Sequence, residues 1–272
     1  MSKRTVKKIP FKQLVERSFP EEEKKRLYAA ILCGEVRILG ERIRDPKRLV
    51  SVDSIAEWSV RPFVSRGGEK LAGALDALHL NPQNQVCLDA GASTGGFTDC
   101  LLSRGASFVH AVDVGFNQLA WKLRTHPQVL SREQTNIMDL SPSDLQPSPK
   151  WAVADLSFRS LRGAASQLLH LTHGGLVLAL VKPQFENPLE EGFDGIVRTS
   201  QAREAVLQAL RRDLPQEGAH VINAVASEVT GRKGNAEIFL LISAEPADQQ
   251  NLVDQRIELA LEEAQNHLSP PE

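Results

Sequence analysis

Short apolar runs alternate with segments of helical periodicity through most of residues 86–242. Each run is too short for a buried helix but suits a strand that helices cover on both faces. This alternation predicts an α/β fold with a mainly parallel sheet, and the last two runs predict an antiparallel hairpin that closes it. The predicted strands are 86–89, 108–113, 134–140, 151–158, 175–186, 220–225 and 236–242.

The first sixty residues have a different pattern of shorter elements. We expect a short helix over 12–17 and a second helix that is opened by a proline and three glutamates and ends at Gly34. Residues 36–43 predict two short strands around a turn. Residues 1–10 are expected to form a basic arm, and residues 51–64 a linker.

The chain ends in a segment with apolar residues at helical spacing and acidic residues around them. The pattern predicts an amphipathic helix that docks on the body of the protein or on a second subunit, which would make a homodimer. The alternative is a frayed terminal helix. We therefore divide the chain into 1–60, 61–245 and an acidic tail, 246–272. The apolar face consists of Val253, Ile257, Ala260, Leu261, Ala264 and Leu268.

The first of these apolar runs leads into a glycine-rich turn that opens a helix, as in doubly wound sheets that bind nucleotides. Asp113 ends the next run about 20 residues later, where an acceptor for ribose hydroxyls belongs. The turn is not G-x-G-x-x-G, and Asp89 would repel a pyrophosphate but accept hydrogen bonds from an ammonium group. We therefore favour S-adenosylmethionine over NAD; the alternative is that the glycines only permit close packing. The turn residues expected to bind are Asp89, Gly91, Ser93, Thr94, Gly95, Gly96 and Phe97.

A helix is predicted over 115–124, and the third strand, 134–140, follows it. In a doubly wound sheet this strand ends on the same side as Asp113, where the base of a cofactor would lie. Asn136, Met138 and Asp139 are therefore candidates for binding the adenine. The alternative is that these three residues only form the polar end of a strand.

Charged residues also stand at the ends of later strands. Asp155 follows the apolar part of the fourth strand, and Lys182 follows six apolar residues of the fifth. Desolvation favours a neutral amine, which is the form that a general base needs. Glu237 interrupts an apolar strand, and Lys70 lies near the start of a helix, where the helix dipole disfavours a cation. Taken singly, each charge at a strand is more often a capped strand end than a catalyst, and a lone lysine at a helix start usually serves only solubility.

Composition and charge add one asymmetry. The 272 residues are 42% apolar, enough for one substantial core plus a small domain, and the formal net charge is −2. Residues 1–60 carry 14 Lys and Arg against 9 Asp and Glu, whereas residues 245–272 carry 1 against 7. A basic first domain suits phosphate binding, and a solvated charged face is the alternative.

Cys33, Cys87 and Cys100 are an odd number without C-x-x-C spacing, so we expect no disulfide framework and no metal site, only packing. We also expect no membrane span, because no apolar run approaches 18 residues. The N-terminus lacks the apolar stretch of a secretory signal, so the expected location is cytoplasmic.

Several motifs, taken together, resemble one family. They are "VSRGGEKL", "LDAGASTGGFTDCLL", "AVDVGFNQLAWKLR", "DLSF", "LVKPQFE", "GIVR" and "GRKGNAEIFLLI". In this order they resemble the TlyA (hemolysin-A-like) ribosomal-RNA 2′-O-ribose methyltransferases, a branch of the FtsJ/RrmJ-like group. The pattern of the first sixty residues is similar to the small αL-type RNA-binding domain of the S-four ribosomal-protein family.

The resemblance implies a Rossmann-like methyltransferase sheet with an antiparallel last strand, preceded by a small α+β RNA-binding domain. It implies S-adenosylmethionine as cofactor and ribosomal RNA or ribosomal subunits as partner, with a cytidine ribose as the expected target. The family's Lys-Asp-Lys-Glu tetrad falls on Lys70, Asp155, Lys182 and Glu237. The residues expected on RNA are Arg26, Arg37, Arg42, Arg44 and Arg66. A cofactor-binding RNA chaperone or ribosome-assembly factor without methyl transfer is the alternative.

Overall fold

The computed structural model describes residues 7–58, 62–157, 159–186, 196–197, 199–231 and 235–267. The chain divides into an N-terminal unit, Met1–Pro62, and a C-terminal unit, Phe63–Glu272. The expected boundary after residue 60 lies within two residues of this division, whereas the expected tail domain is part of the C-terminal unit. Residues 1–6 of the expected arm, Phe158 and Leu268 lie outside the described residues.

The N-terminal unit is a small α+β fold. Two helices pack over a two-stranded sheet of β1 and β4 and a three-stranded sheet in the order β3-β2-β5. Helix α2 ends where Gly34 takes the left-handed conformation, as the sequence predicts. The elements are β1 (Lys8–Pro10), α1 (Phe11–Ser18), α2 (Lys24–Cys33), β2 (Val36–Ile38), β3 (Glu41–Arg42), β4 (Leu49–Ser51) and β5 (Ala56–Trp58).

Two expectations for this unit are wrong. The end of the basic arm is not free, because β1 pairs with β4 and places Ile9 in the core. The expected linker contains β5, which pairs with β2, and Trp58 packs edge-on against Phe19 and donates to Glu35 at 3.2 Å. Strands of three residues are too short to show a period, which is why the hydrophobic pattern misses them. Cys33 is also exposed, whereas Cys87 and Cys100 are buried as expected.

The C-terminal unit alternates strands and helices around one large sheet. Short 3₁₀ turns lie at Ile137–Asp139, Pro142–Asp144 and Leu214–Glu217. The remaining elements are α3 (Arg66–Ala77), β6 (Val86–Ala90), α4 (Gly96–Ser103), β7 (Phe108–Val112), α5 (Trp121–Arg124), β8 (Val129–Arg132), β9 (Trp151–Ala154), α6 (Ala164–Leu171), β10 (Leu176–Val181), α7 (Pro183–Glu186), α8 (Ser200–Asp213), β11 (His220–Ala226), β12 (Ile238–Ser243) and α9 (Gln250–Asn266).

The seven strands lie in the order β11-β12-β10-β9-β6-β7-β8. β12 is antiparallel to both of its neighbours, and the pairs from β10 to β8 are parallel. The chain runs outward from β6 in one direction to β8 and in the other to β10, so the strand order reverses between β6 and β9. This confirms the predicted doubly wound sheet with an antiparallel closing strand. Ligands bind such sheets at the carboxyl ends of the strands beside the reversal.

Side chains alternate between the two faces of each strand, and each face carries its own core. One face packs against α3 and α4 through residues such as Cys87, Val153 and Phe239. The other face packs against α6, α8 and α9 through residues such as Leu88 and Ile242. The alternation fixes which face each charged residue near a strand end approaches.

Two predicted elements near β7 and β8 differ from the structure. The third strand is β8 at Val129–Arg132 rather than 134–140, because this edge strand is only partly buried and lacks an apolar run. The helix predicted over 115–124 is reduced to α5. Carboxylates take the backbone N–H groups that a helix would use: Asp113 accepts from Gly115 at 2.6 Å, and Glu133 from Gln118 at 2.6 Å.

The C-terminal helix α9 packs on β11 of the same chain, so its apolar face is covered without a second subunit. Val253, Ile257, Ala260 and Ala264 are buried at the helical spacing that the sequence predicts. No helix among the described residues is long and apolar enough to cross a membrane.

We predict that Ile257→Ala lowers the free energy of unfolding by about 2–5 kcal/mol, because it leaves a cavity under α9. Leu259→Ala on the same helix is the matched control: its side chain is 44% exposed, so the loss should stay below about 0.5 kcal/mol. Urea unfolding of both variants tests this, and equal losses would mean that α9 is not docked in solution.

Candidate active site

Lys70 and Glu237 form a buried ion pair between α3 and the start of β12. Both side chains are nearly inaccessible, with 9% and 3% exposure. Glu237 lies on the same face as Phe239, the face that packs against α3. The cation that the helix dipole disfavours is therefore compensated by a carboxylate 167 residues away in the sequence.

Asp155 and Lys182 form a second pair where β9 and β10 end. The Lys182 Nζ lies 2.7 Å from an Asp155 carboxylate oxygen and donates to the Ser157 hydroxyl at 2.9 Å. The two strands are parallel neighbours, so their ends bring the two residues together. Sequence reasoning did not single out Ser157, which lies in the quoted motif "DLSF".

The two pairs lie side by side. Because β12 runs antiparallel to β10, its first residue Ile238 faces the last residue of β10, Val181, and Glu237 comes beside Lys182. Burial raises the pKa of Glu237, and Lys70 opposes this shift; Asp155 also raises that pKa and Lys182 lowers it. The other three predicted tetrad residues therefore lie within electrostatic range of Glu237.

The loop before β12 leaves little room around Glu237. A Cβ at Gly231 would overlap the Glu237 carboxylate, so only glycine permits this close approach. The Gly231 N–H donates to the carbonyl of the buried Asn235 at 2.8 Å. Both residues belong to the quoted motif "GRKGNAEIFLLI", but their sequence spacing does not indicate this contact with the carboxylate.

The glycine-rich turn connects β6 to α4 next to the second ion pair. Gly91 has a positive φ of 84°, and a Cβ there would lie 2.8 Å from the Asp155 carbonyl oxygen. Ser93 also has a positive φ, 48°, and both Ser93 and Thr94 are exposed at the tip of the turn. The turn therefore borders an open surface that is directly adjacent to Asp155.

Other residues of the turn face the interior. A Cβ at Gly95 would collide with Leu123, and one at Gly96 with Ser65. Phe97 is 3% exposed and packs against Phe239 at 5.9 Å between ring centroids. We therefore assign these three residues to packing rather than to contact with a ligand.

Among the turn residues, Asp89 differs most from its predicted role. It is fully buried on the α4 side of β6, where the Thr98 hydroxyl donates to Oδ2 at 2.6 Å. Its Oδ1 has no hydrogen-bond partner in the described part of the chain. A side chain with no accessible surface cannot receive the ammonium of a ligand, so the expected direct contact is wrong. Burial raises the pKa of Asp89 to about 7.

Asp113 directly follows β7 and lies beside the turn, where the sequence predicts an acceptor for ribose hydroxyls. One of its carboxylate oxygens accepts from the Ser93 N–H at 2.8 Å and the other from the Gly115 N–H at 2.6 Å. Each oxygen retains a second lone pair. Asp113 therefore fixes the tip of the turn and can still accept hydrogen bonds.

The adenine candidates lie in the loop after β8, on the same side as Asp113. The Thr135 N–H donates to the Asp113 carbonyl at 2.9 Å and holds this loop against the end of β7. Asn136 accepts from the Met138 N–H at 3.1 Å, and Asp139 is exposed. Sequence reasoning missed Val114, whose apolar side chain is 72% exposed directly after Asp113 and could cover a base.

The arginines expected on RNA lie in different parts of the chain. Arg26 pairs with Glu22 at 2.8 Å and stacks over Trp58 in the N-terminal unit. Arg42 and Arg44 are exposed there, and Arg37 is partly buried. Arg66 is exposed on the first turn of α3, in the C-terminal unit.

A further cluster that sequence reasoning missed holds the loop after β9 in place. Glu186 is 8% exposed, accepts from the Ser160 hydroxyl at 2.6 Å and from the Leu161 N–H at 2.8 Å, and pairs with Arg162. These contacts tie the segment that carries Ser157 to the end of α7. Because Lys182 directly precedes α7, the cluster fixes α7 near the Asp155–Lys182 pair.

We predict that Asp89 makes the protein less stable as the pH rises from 5 to 8. The folded carboxyl keeps its proton up to about pH 7, whereas the unfolded one loses it near pH 4, so its stabilising contribution is lost between these values. Asp89→Asn should remove this part of the pH dependence of urea unfolding.

Asp76→Asn is the control, because Arg104 lowers the pKa of the exposed Asp76 carboxyl, which therefore does not titrate between pH 5 and 8. A wild-type pH dependence in Asp89→Asn would show that Asp89 is ionised in the folded protein.

Comparison with known proteins identifies the family to which this chain belongs. Residues 63–244 match the model of the FtsJ-like methyltransferases. The 16S/23S rRNA (cytidine-2′-O)-methyltransferase TlyA of Mycobacterium tuberculosis is 41% identical over 76% of this chain and 80% of its own. Hemolysin A of Brachyspira hyodysenteriae is 36% identical over 79% of this chain and 92% of its own.

A solved structure from Streptococcus thermophilus, assigned as a hemolysin, superimposes with a TM-score of 0.69. It has 33% sequence identity and covers 96% of this chain and 98% of its own, so the resemblance includes the N-terminal unit as well as the sheet. The chain therefore belongs to the FtsJ-like methyltransferase family, in the branch of the TlyA and hemolysin A proteins.

Proposed function

We propose that this protein transfers the methyl group of S-adenosylmethionine to a ribose 2′-hydroxyl of ribosomal RNA. The observation that carries the proposal is the pair of lysine–carboxylate contacts, Lys70–Glu237 and Lys182–Asp155, beside the glycine turn. A chain of this family with both pairs intact favours an enzyme over an assembly factor that only binds the cofactor.

The residues around the turn fit the cofactor. The exposed Ser93 and Thr94 would line the cofactor surface next to Asp155, and Gly91 lets the turn approach the Asp155 backbone closely. Asp113 would accept the ribose hydroxyls, while Val114 and the loop that carries Asn136, Met138 and Asp139 would border the adenine. When bound, the cofactor supplies an electrophilic methyl group on a sulfonium.

Lys182 is the proposed general base. A ribose hydroxyl is a weak acid, so it becomes a good nucleophile only as its proton is removed. The Lys182 Nζ would take this proton, and the Asp155 carboxylate at 2.7 Å would stabilise the ammonium that forms. Ser157 holds the same Nζ at 2.9 Å, so the amine is oriented from two sides.

The Lys70–Glu237 pair has a positioning role in this scheme. It is almost fully buried and lies beside Lys182, so it fixes one wall of the site and places a positive and a negative charge there at a defined distance.

The proposed substrate is a cytidine ribose in ribosomal RNA. The Mycobacterium tuberculosis relative is named for cytidine 2′-O-methylation of 16S and 23S rRNA. The expected RNA contacts in the N-terminal unit, Arg26, Arg37, Arg42 and Arg44, are suited to the RNA backbone, which carries no sequence information. A ribosomal substrate would place the enzyme in the cytoplasm.

The direct test combines calorimetry with S-adenosylmethionine and transfer of a tritiated methyl group to ribosomal subunits. Cofactor binding together with label on a ribose 2′-oxygen supports the proposal. Cofactor binding without transfer to either subunit or to naked rRNA would favour the assembly-factor alternative.

We predict that Lys182→Arg transfers methyl groups at least about 100-fold more slowly in single-turnover experiments, the lower range for loss of a positioned base. Arginine keeps the positive charge but does not deprotonate, so cofactor and RNA binding should stay near normal. Lys150→Arg, at an exposed lysine, is the control and should react at the wild-type rate. Near-normal transfer by folded Lys182→Arg would exclude Lys182 as the base.

We predict that deletion of residues 1–60 weakens RNA binding but leaves cofactor binding unchanged, because the N-terminal unit has its own core and an excess of basic residues. Each lost phosphate contact should flatten the dependence of log K on log salt by about 0.7–0.9. Filter binding of rRNA at several salt concentrations measures the slope. A slope equal to that of the full chain would show that the N-terminal unit does not contact the RNA backbone.

A further inference from the structure

Arg203 on α8 is a buried cation that the proposed chemistry does not use. The side chain has no accessible surface, and burial lowers the pKa of its guanidinium. No carboxylate forms an ion pair with it within the described ranges, and its Nε has no hydrogen-bond partner there. A buried charge without a counter-ion is costly, so neutral partners must hold it at this place.

The two terminal nitrogens of Arg203 connect separate parts of the chain. One donates to the carbonyl of Val197 at 2.8 Å, in the segment that precedes α8. The other donates to the side-chain oxygen of Gln265, on the last turn of α9. Arg203 therefore joins the end of the C-terminal helix to the segment at 196–197.

The segment at 196–197 also contacts the residues that precede β12. The Val197 N–H donates to the Asn235 side-chain oxygen at 3.1 Å. Asn235 is 3% exposed, receives the Gly231 N–H at its carbonyl and lies two residues before Glu237. Gly231 itself lies against the Glu237 carboxylate. Asn235 therefore ties the residue that contacts this carboxylate to the backbone two residues before Glu237.

A second route leaves the same end of α9. The His267 Nδ1 lies 3.2 Å from the Ser227 carbonyl, and the Ser227 N–H donates to the Glu237 carbonyl at 3.0 Å. Residues 265 and 267 thus reach the backbone around Glu237 from two directions. These contacts connect the last turn of α9 to the backbone of Glu237, the residue that pairs with Lys70.

We propose that Arg203 is a positioning residue for methyl transfer, which acts through Val197 and Asn235 to hold the Glu237 carboxylate against Lys70. The inference rests on the proposed function, because the Lys70–Glu237 pair is taken to form one wall of the catalytic site. It makes the end of the C-terminal helix part of the catalytic unit rather than a cover on the sheet alone.

Arg211 provides a matched control on the same two helices. It also bridges α8 and α9, through Asp254 at 2.5 Å and Gln250 at 3.2 Å, but eight positions further along α8, away from Val197. Both arginines join the helices, and only Arg203 also contacts the route to Glu237. A purely structural role would let both substitutions lower stability without changing the pH dependence of methyl transfer.

The test compares Arg203→Met, Gln265→Ala and Arg211→Met in single-turnover transfer to ribosomal subunits. We expect Arg203→Met to lower the transfer rate about 10-fold or more, with unchanged affinity for cofactor and RNA, and Arg211→Met to stay within about 2-fold. Gln265 is exposed, so Gln265→Ala should fold normally and show a smaller loss in the same direction.

The pH dependence distinguishes positioning from general damage. Lys70 lowers the pKa of Glu237, so a loosened pair should move the acid limb of the rate profile to higher pH in Arg203→Met but not in Arg211→Met. In a Glu237→Gln background, Arg203→Met should cause no further loss, because both changes act on the same group.

Equal rate losses in the two arginine variants, or an additive loss in the Glu237→Gln background, would overturn the inference. Absence of transfer by the wild-type protein would instead defeat the proposed function. In that case carbon NMR of the Glu237 carboxyl decides the inference alone: a higher midpoint in Arg203→Met supports it, and equal midpoints in the two proteins overturn it.

Discussion

A lysine and a glutamate that are both buried each need the other as a counter-ion. This constraint fixes α3 against the start of β12. Separating Lys70 from Glu237 would leave two desolvated charges without partners, which typically costs several kcal/mol. The pair therefore sets the depth at which α3 lies on the sheet. It also sets the position of Glu237 beside Lys182, on which the arrangement of the site depends.

The reversal of strand order between β6 and β9 supplies the other half of the site. The ends of these strands approach closely because Gly91 has no side chain to keep them apart from the Asp155 backbone. The glycines of one turn thus permit different contacts: Gly91 allows the approach to the Asp155 backbone, whereas Gly95 and Gly96 allow Leu123 and α3 to pack behind the turn. Close packing accounts for all three glycines, whereas the proposed cofactor surface is formed by the exposed Ser93 and Thr94.

The hydrophobic pattern predicted the central sheet because its inner strands are continuous apolar runs between helices. It failed where this signal is weak: β8 is a half-exposed edge strand, and β1 and β5 have three residues each. The burial of Asp89 was not predictable, since a carboxylate at the end of an apolar run suits an open strand end as well as a position buried under α4. The four tetrad residues came from the family resemblance, whereas the contacts of Ser157, Gly231 and Asn235 required coordinates.

The distance along the chain between Lys70 and Glu237 has a consequence for synthesis. Lys70 enters the fold with α3, whereas its partner follows 167 residues later, just before the last strand. Because β12 inserts between β10 and β11, the growing chain cannot complete the sheet in the order in which its strands emerge. A nascent or truncated chain that lacks β12 leaves the lysine without its counter-ion and the edge of β10 unpaired. Activity therefore begins only after the chain through β12 has left the ribosome.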